Sequence, residues 1–262
     1  MKKIAFHVNG SKAGALPVRS RIAALARDCG MEVLAENAAD APDAVIVLGG
    51  DGTMLSAVHR FPGVPLLGLN LGSLGYLSSV DEARFEDAVR ALAAGNFRIS
   101  RRVALEVDGK IALNDVVVSR GVSGHAMRLR LSVDGQSAAS FSADGLVIAT
   151  PTGSTAYSLA AGGPILMPDT GSLAVTPVCP HSLSSRPLVV KDSSVLLVSA
   201  EVREAGEEPS VFADGILVRV LASGETVRVA KSTLTVPLVE LEGASPYEVL
   251  KRKLGWFGTA AG

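Results

Sequence analysis

The chain has few cysteines and no long apolar run, and these absences narrow the classes of protein to which it can belong. Its 262 residues include two cysteines, Cys29 and Cys179, with neither a CxxC pair nor a zinc-type spacing. Isolated thiols of this kind are typical of buried cysteines in a reducing compartment. No stretch of about 18 apolar residues occurs, and the apolar run at residues 4–8 is too short for a signal peptide. We therefore expect a cytoplasmic protein with no membrane partner.

Basic residues are not in excess either. The chain has 25 Lys and Arg residues against 26 Asp and Glu residues, a net charge of −1, and the two signs are mixed along the sequence. Because proteins that bind nucleic acid concentrate positive charge on one surface, no nucleic-acid partner is expected. Hydrophobic residues make up 48% of the chain and charged residues 19%, which is the composition of a folded protein rather than a disordered one.

Strand and helix patterns alternate over the N-terminal part of the chain. Apolar runs of strand length are followed by segments whose apolar residues recur at helical spacing. This alternation favours a parallel sheet with helices packed on it. The predicted strands are residues 3–8, 45–48 and 65–69, and the predicted helices are residues 19–29 and 86–94.

The pattern becomes rich in β-type runs at about residue 99. Turn signals such as Asp108-Gly109 and Asp134-Gly135 separate these runs. One helix is predicted from near Gly153 to Gly162. The predicted strands are residues 101–107, 111–119, 128–133, 146–148, 194–199, 216–221 and 226–230.

These patterns predict an α/β plus β fold with two domains. Residues 1–98 are expected to form a Rossmann-like α/β domain that carries the glycine motif described below. Residues 99–240 are expected to form a β-rich, sandwich-like domain. The tail, residues 241–262, contains a predicted helix at 247–254 and is expected to pack back on the body.

A glycine-rich elbow, Gly49-Gly50-Asp51-Gly52-Thr53, follows the predicted strand at residues 45–48. Glycines permit close approach of a ligand, and a helix that begins near Thr53 would offer free N–H groups and a partial positive charge to a phosphate. A carboxylate repels phosphate, so Asp51 indicates a role with a proton or a metal. The alternative is an ordinary strand-to-helix turn in which Asp51 and Thr53 cap the helix. The elbow matches neither GxxxxGK[ST] nor GxGxxG, which disfavours a P-loop NTPase and a Rossmann dehydrogenase.

Two later segments combine polar residues with β-type runs. Asn114 and Asp115 lie inside a predicted strand, where they need hydrogen-bonding partners unless the position is a turn or an edge. Asp144-Gly145 precedes the segment Thr150-Pro151-Thr152-Gly153-Ser154-Thr155-Ala156-Tyr157. Its hydroxyls suit sugar and phosphate oxygens, and Tyr157 suits the face of a base. The alternative is a loop that caps a helix.

The order GGDGT, Asn-Asp, then DG…TPTGSTAY…GGP resembles that of the NAD kinase family over most of the chain. GGDG alone is shared with diacylglycerol and sphingoid-lipid kinases, and the TPTGSTAY segment is the more specific part. The resemblance implies transfer of the γ-phosphoryl group of ATP, or of polyphosphate, to the 2′-hydroxyl of the adenosine ribose of NAD, with Mg²⁺ or a similar metal whose ligands stay unknown. It also implies a site between the two domains and a homodimer or homotetramer.

The resemblance also implies roles for individual residues. Asp51 matches the family's proton acceptor, and it is expected to contact NAD as well. Gly49, Gly50 and Thr53 belong to the phosphate or nucleotide loop. The other positions that match NAD contacts are Gly52, Asn114, Asp115, His125, Asp144, Thr155, Ala156 and Tyr157.

Four positions depart from the family's pattern. Many members have a basic residue where this chain has Ser56, and bacterial members often have arginine where it has Ser142. A polar residue is usual at the position of Ile216, and a serine at that of Ala160. These departures leave open which phosphate donor is preferred, whether NADH is accepted, and how tightly NAD binds.

Residues outside these motifs receive structural interpretations, and two rival functions are retained. His7, His59 and His181 lack partners at metal-ligand spacing, and Trp256 and Phe257 are expected to pack in the tail. One rival is a lipid kinase that shares the GGDG elbow, although no basic amphipathic helix is visible. The other is a non-catalytic sensor that binds NAD or NADP.

Overall fold

The structure is a computed structural model. It describes residues 1–10, 12, 14–35, 38–72, 75–78, 80–121, 125–202, 208–243 and 245–255. The chain divides into two compact units. The first unit comprises Met1–Arg101 and the chain from Val236 onward, and the second comprises Arg102–Thr235. The predicted boundaries, after residues 98 and 240, lie a few residues from these. Trp256 and Phe257 lie outside the described residues.

The first unit is built on a parallel sheet. Strands lie in the order β2-β1-β3-β4, and the end of β16 adds parallel to β4. The elements of this unit are β1 (Lys3–Val8), α1 (Ala15–Asp28), β2 (Glu32–Val33), β3 (Ala44–Gly49), α2 (Asp51–Arg60), β4 (Leu66–Asn70), a 3₁₀ turn (Glu82–Arg84), α3 (Phe85–Ala94), the start of β5 (Phe97–Val107), the end of β16 (Thr226–Leu241) and α5 (Pro246–Leu254).

Apolar side chains cover both faces of this sheet. β3 is buried along its whole length, as expected for a parallel strand with helices on both sides. One face packs on α1 and α3, where Ile22 and Phe85 join a cluster with Ile46. On the other face, Met54 of α2 lies against Gly68. A Cβ placed on this glycine would lie 3.0 Å from the Met54 sulfur.

The second unit contains two antiparallel sheets. One has the order β12-β11-β10-β7-β14-β15, and the other is formed by β16, β13, β8 and β9. The further elements are β6 (Lys110–Ala112), β7 (Asp115–Ser119), β8 (Met127–Val133), β9 (Gln136–Ala143), β10 (Gly145–Ala149), a 3₁₀ turn (Gly153–Thr155), α4 (Tyr157–Ala160), β11 (Ser172–Val178), β12 (Leu188–Lys191), β13 (Leu196–Glu201), β14 (Ser210–Ala213) and β15 (Ile216–Val220).

Alternate residues of the two sheets form one shared core. Val116 and Val118 of β7 belong to it together with Leu129 and Leu131 of β8, as the two-residue period of a strand requires. The architecture confirms the predicted α/β plus β fold class, with a Rossmann-like first domain and a sandwich-like second domain. In the described part of the chain, no helix is long and apolar enough to cross a membrane.

Three hairpins of the second unit close on Asp-Gly turns. Asp108, Asp134 and Asp214 have φ values of 48, 50 and 48°, and the glycine after each also has a positive φ. This is the geometry of a type I′ turn, which matches the twist of the strands it joins. The turn signals at Asp108-Gly109 and Asp134-Gly135 are therefore confirmed.

Several local predictions are wrong for identifiable reasons. The run at 111–119 is not one strand, because the backbone breaks between β6 and β7. The helix predicted from Gly153 is a 3₁₀ turn and a single α-helical turn, separated by the non-helical backbone of Ala156. The sequence pattern also does not indicate β9, which is rich in serine and alanine, or β11, which contains Pro177. It does not indicate β2, β12 or β14 either.

Element ends differ from the prediction as well. α1 begins at Ala15, four residues before the predicted start, and Pro17 falls in its first turn, where the missing N–H costs little. β16 extends to Leu241 rather than ending at residue 230. The expectation of buried cysteines is wrong, since Cys29 is half-buried and Cys179, in a turn with φ 47°, is exposed.

Candidate active site

The glycine elbow lies at the carboxyl ends of the parallel strands of the first unit. β3 ends at Gly49 and α2 begins at Asp51, while the neighbouring strands β1 and β4 end at Val8 and Asn70. Ligands of parallel α/β sheets bind at this edge. Because the first N–H groups of a helix have no acceptors within the helix, the elbow presents hydrogen-bond donors and the positive end of the α2 dipole.

The elbow glycines are of two kinds. A Cβ at Gly49 would overlap the side chain of Thr53, so glycine at this position serves internal packing. A Cβ at Gly52 would have no atom of the described residues within 4 Å, leaving aside its chain neighbours and the backbone of its own helix. A Cβ at Gly50 would have one such neighbour, the Lys12 Nζ atom at 3.9 Å. None of the three has a positive φ. Glycine is favoured at the N-cap of a helix, which is the position of Gly50. The open space at both Gly50 and Gly52 also allows close approach of a ligand.

The Asp51 carboxylate holds a neighbouring loop. Its Oδ2 atom accepts the N–H of Tyr76 at 2.9 Å. Its Oδ1 atom accepts the N–H of Leu77 at 2.9 Å and, from Ser78, the N–H at 3.2 Å and the hydroxyl at 3.3 Å. A Cβ at Gly75 would overlap Oδ1. Since a carboxylate oxygen accepts about two hydrogen bonds, Oδ2 keeps one acceptor position with respect to the described residues.

The predicted capping of α2 by Asp51 and Thr53 is wrong. The helix begins at Asp51, two residues earlier than predicted, and its N-cap is Gly50, without a side-chain capping bond. Asp51 is thus the first helical residue, where the dipole stabilises a negative charge. Its carboxylate binds the loop at 76–78 instead of the helix's own N–H groups.

Lys12 adds a positive charge over the elbow. It follows β1, and its Nζ atom lies 3.2 Å from the position that a Cβ of Gly72 would occupy and 3.9 Å from that of Gly50. An ammonium group and a helix N-terminus both favour anions. The carboxyl edge of the first unit is therefore suited to phosphate, with one carboxylate beside it.

In the second unit, Leu113 and Asn114 form the break between β6 and β7, and Asp115 is the first residue of β7. The carboxylate of Asp214 accepts three consecutive backbone N–H groups there, from Leu113 and Asn114 at 2.7 Å each and from Asp115 at 3.2 Å. The Asp214 N–H in turn donates to the Asp115 carbonyl at 3.0 Å. The break is therefore a turn held by a distant side chain, as one of the two sequence interpretations allows.

The start of the TPTGSTAY segment binds the same break from its carbonyl side. The Thr150 N–H donates to the Asn114 carbonyl at 2.9 Å, and the Thr150 hydroxyl to the Leu113 carbonyl at 2.6 Å. A Cβ at Gly153 would overlap the Asn114 carbonyl and lie 2.5 Å from its Cα. The structure thus brings together two motifs that are more than thirty residues apart in the sequence.

Asp115 is an unusual carboxyl group, because it is 6% exposed. Burial, and then the negative charge of Asp214, raise the pKa of Asp115 to about 7. Near neutral pH the group therefore exists in both protonation states. A protonated carboxyl can donate a hydrogen bond as well as accept one.

Thr155, Ala156 and Tyr157 follow Gly153 and lie at the surface of the second unit. Tyr157 is 46% exposed, so its ring is available to a planar ligand. The hydroxyl of Thr155 donates to the Thr152 carbonyl at 3.2 Å. Ala156, whose backbone is not helical, separates the 3₁₀ turn from α4.

Asp144 is not brought to this cluster. Asp144 precedes β10 and its carboxylate pairs with Arg120 at 3.4 Å, whereas Asp115 pairs with Ala149 at the other end of β10. At about 3.4 Å per residue, the two aspartates are roughly 17 Å apart along the strand. His125 is exposed, just before β8.

Sequence comparison with known proteins identifies the family. Residues 31–97 match the ATP-NAD kinase N-terminal domain, and residues 113–241 match the ATP-NAD kinase C-terminal domain. The chain is 36% identical to the NAD kinase of Syntrophotalea carbinolica over 98% of this chain and 99% of that one. It is 43% identical to the NAD kinase of Gemmatimonas aurantiaca over 82% and 78%. The chain belongs to the NAD kinase family.

Solved structures agree on the fold. The crystal structure of yeast NADH kinase complexed with NADH has a TM-score of 0.88 and 24% identity, covering 99% of this chain and 89% of that one. An NAD kinase from Archaeoglobus fulgidus in complex with ATP has a TM-score of 0.79 and 24% identity, covering 98% of both chains. The predicted family and enzyme class are confirmed, and the lipid-kinase and sensor alternatives find no support among these matches.

Membership in the NAD kinase family makes the departures from its pattern informative. The Ser56 hydroxyl lies 3.1 Å from the His7 Nε2 atom, so a histidine of β1 contacts the position where many members have a basic residue. Ser142 is half-buried in β9, and Ala160 is exposed at the end of α4. Ile216 is 56% exposed, directly after the Asp214-Gly215 turn.

The described residues do not supply a metal cage. They contain no group of three or more His, Cys, Asp and Glu side chains that could hold a metal ion. At Asp51, the one carboxylate of the elbow, both oxygens already accept hydrogen bonds. This donor set does not fit a resident divalent ion, whereas Mg²⁺ often reaches a kinase through substrate phosphates.

Motif reasoning misses three residues that shape the two clusters. Lys12 has no motif, although its place after a parallel strand is a signal that could have found it. Gly75 and Asp214 act through contacts with Asp51 and the Asn114 segment. Such contacts join distant parts of the sequence, so no local pattern marks them.

Proposed function

We propose that this chain transfers the γ-phosphoryl group of ATP to the 2′-hydroxyl of the adenosine ribose of NAD, giving NADP and ADP. The observation that carries the proposal is the elbow, where one carboxylate lies at a helix N-terminus beside open glycines and the Lys12 ammonium group. Phosphoryl transfer depends on such positioning and charge stabilisation. The NAD kinase relatives support NAD as the acceptor.

In this proposal Asp51 is the proton acceptor. The ribose 2′-oxygen forms a bond to the γ-phosphorus, the bond from that phosphorus to the β–γ bridging oxygen breaks, and ADP leaves. The hydroxyl proton passes to Oδ2 of Asp51, the oxygen with an acceptor position left. The N–H groups of Leu77 and Ser78 hold Oδ1 and so orient the carboxylate.

Substrate phosphates are assigned to the edge around Gly50, Gly52 and Lys12, where glycine backbone, helix dipole and ammonium charge coincide. Gly49 and Thr53 maintain the shape of that loop. Mg²⁺ would arrive with the nucleotide, because the side chains of the described residues do not form a cage for it.

NAD recognition is assigned to the second unit. Its proposed contacts are Asn114 and Asp115 at the break, Thr155, Ala156 and Tyr157 beyond Gly153, and Asp144 and His125 elsewhere. An amide, a carboxyl group and an exposed aromatic ring can hold a base and a sugar without exchanging protons with the reacting hydroxyl. The choice of ATP over polyphosphate, the homodimer or homotetramer, and the cytoplasmic location remain predictions.

An assay of NADP formation tests the proposal. The purified protein is given ATP or polyphosphate, each with NAD or NADH, and NADP or NADPH is measured with a dehydrogenase specific for the phosphorylated cofactor. We expect NADP from NAD and ATP. A folded protein that produces neither NADP nor NADPH with either donor would rule the proposal out.

A further inference from the structure

The break at Asn114 is unusual because it lies in a buried part of the second unit. Leu113 is fully buried and Asp115 is 6% exposed. Backbone N–H groups in such places need acceptors, since a buried donor without one is costly. Strand pairing would provide acceptors, but Leu113 and Asn114 lie between β6 and β7, and Asp115 is only the first residue of β7.

The Asp214 carboxylate supplies the hydrogen-bond acceptors that strand pairing would otherwise provide. Oδ2 accepts the N–H of Leu113 at 2.7 Å, and Oδ1 accepts those of Asn114 at 2.7 Å and Asp115 at 3.2 Å. Hydrogen bonds to a charged acceptor are stronger than neutral ones. One side chain therefore supplies the acceptors for the N–H groups of three consecutive residues.

Asp214 reaches the break because its hairpin lies beside it. β14 pairs with β7, with Ala213 opposite Val116, so the turn after Ala213 reaches the beginning of β7. The type I′ geometry at Asp214 and Gly215 places the carboxylate against the N–H groups, while the carbonyls of Leu113 and Asn114 accept bonds from Thr150.

We propose that Asp214 is a positioning residue for NAD: its carboxylate holds the Leu113-Asn114-Asp115 backbone in the conformation that presents the Asn114 and Asp115 side chains to the nucleotide. The inference rests on the proposed function, because it takes Asn114 and Asp115 as NAD contacts. Asp214 itself acts through the backbone and is not assigned a contact with the substrate.

The experiment compares Asp214→Asn with a matched control, Asp134→Asn. Asp134 also begins a type I′ Asp-Gly turn in the second unit, and its carboxylate accepts the Val195 N–H at 2.8 Å and the Ser194 hydroxyl at 2.9 Å. Both variants are expected to lose stability. Asparagine tolerates the left-handed conformation of the turn, so the backbone can keep its shape at both sites.

Asp214→Asn should raise KM for NAD and the Kd of NAD by about tenfold or more, while KM for ATP stays within about threefold of wild type. Asp134→Asn should leave both KM values within about twofold. A folded Asp214→Asn protein with wild-type affinity for NAD would overturn the inference, and so would an equal rise in KM for NAD in Asp134→Asn. A wild-type protein that forms no NADP would instead reject the proposed function.

Amide hydrogen exchange on the unaltered protein provides a second measurement if Asp214→Asn does not fold. We call the contact of the Asp214 carboxylate with the N–H groups of residues 113–115 the clamp. It predicts that the amides of Leu113 and Asn114 exchange slowly although these two residues lie between strands, and that the amide of Asp115, at the start of β7, exchanges slowly as well. Slow exchange at all three supports the clamp. Exchange of Asn114 at the rate of an exposed loop shows that Asp214 does not hold this backbone and overturns the inference.

Discussion

The two units of this NAD kinase each use one aspartate to bind three consecutive backbone N–H groups. Asp51 binds the N–H groups of residues 76–78 in the first unit, and Asp214 binds those of residues 113–115 in the second. In the first unit the proposed chemical group is the carboxylate itself. In the second unit the groups proposed to contact the substrate are the side chains of Asn114 and Asp115, whose backbone the Asp214 carboxylate holds.

This difference shows that one kind of contact can support chemistry or binding, depending on which partner faces the substrate. Oδ2 of Asp51 accepts one hydrogen bond from the described residues and keeps room for a hydroxyl. Both oxygens of Asp214 are directed at the Leu113 and Asn114 backbone. Loss of the first carboxylate should therefore reduce kcat, and loss of the second should raise KM for NAD.

The largest expected effect is that of Asp51→Asn. The amide removes the basic oxygen, and kcat should fall by about 10²–10⁴-fold, the range for a lost general base. Its NH₂ group also takes the place of a carboxylate oxygen that accepts hydrogen bonds from the N–H groups of residues 76–78, so the free energy of unfolding should fall by about 1–3 kcal/mol. Steady-state kinetics and urea unfolding measure the two effects.

Asp214→Asn is the control for that experiment, because it alters the same kind of clamp and should change KM for NAD more than kcat. A folded Asp51→Asn protein with more than about a tenth of the wild-type kcat would remove Asp51 from the mechanism. Partial recovery of the rate at high Mg²⁺ would indicate that the lost carboxylate binds the metal rather than the proton.

Asp115→Asn should change the pH dependence of stability. Burial and the Asp214 charge raise the pKa of Asp115 to about 7, above that of an unfolded chain. The folded state therefore binds an additional proton between about pH 4 and pH 7, and wild-type stability falls across this interval as pH rises, by up to ~4 kcal/mol. Denaturant unfolding of both proteins at several pH values measures this difference.

The asparagine variant has no titrating group at this position, so its stability curve should be flatter than that of the wild type over the same interval. Taking the difference between the two proteins cancels the other titrating groups they share. Parallel curves would show that Asp115 ionises in the folded protein much as it does in the unfolded chain.

Gly153→Ala and Gly52→Ala should separate internal packing from ligand approach. A methyl group at Gly153 would overlap the Asn114 backbone, so unfolding free energy should fall by about 3 kcal/mol. A methyl group at Gly52 meets no described protein atom outside its own helix and neighbours, and stability should change by less than about 1 kcal/mol. Thermal unfolding measures both.

Gly52→Ala, the variant expected to keep its stability, should be the one that loses activity through a blocked ligand contact. Gly52→Ala places a methyl group where the nucleotide is proposed to approach, so kcat/KM should fall although the fold is intact. Full activity in Gly52→Ala would remove the proposed phosphate contact at this glycine. An unchanged stability in Gly153→Ala would show that the Asn114 backbone can move away without penalty.

The smallest expected effect is that of Ile216→Gln, which alters the strand after the Asp214 turn. Ile216 is exposed where a polar residue is usual in the family, and glutamine should tighten NAD binding by ~0.5–1.5 kcal/mol, about one hydrogen bond. The matched control is Leu217→Gln, equally exposed but on the opposite side of the strand. Isothermal titration that shows no gain, or the same gain in both variants, would assign the role to another residue.

Much of the fold follows from local sequence patterns. The alternation around residues 3–8 and 45–48 predicts β1 and β3, and Asp134-Gly135 predicts its hairpin, because burial and turn geometry act over neighbouring residues. The break at Asn114 and the short turns after Gly153 are not predictable in this way. They depend on Asp214 and on contacts between segments far apart in the chain.

The candidate site, like the fold, is predictable where local residue types decide and not predictable where distant contacts decide. Motifs identify Asp51 and the Asn114-Asp115 pair, since their residue types carry the chemistry. They do not show that Asp51 also anchors residues 76–78, nor that Asp144 lies at the opposite end of β10 from Asp115. Those facts depend on strand pairing and on loop contacts, which local sequence does not encode.

The central claim is tested most directly by following the phosphorus atom itself. ATP labelled with ³²P at the γ position is incubated with NAD and the wild-type protein, and the labelled product is separated and cleaved at the 2′-position with a phosphatase. The account predicts one labelled phosphate for each NADP formed, on the 2′-oxygen of the adenosine ribose. Label that stays on ATP, or that is released as inorganic phosphate without entering NAD, would contradict it.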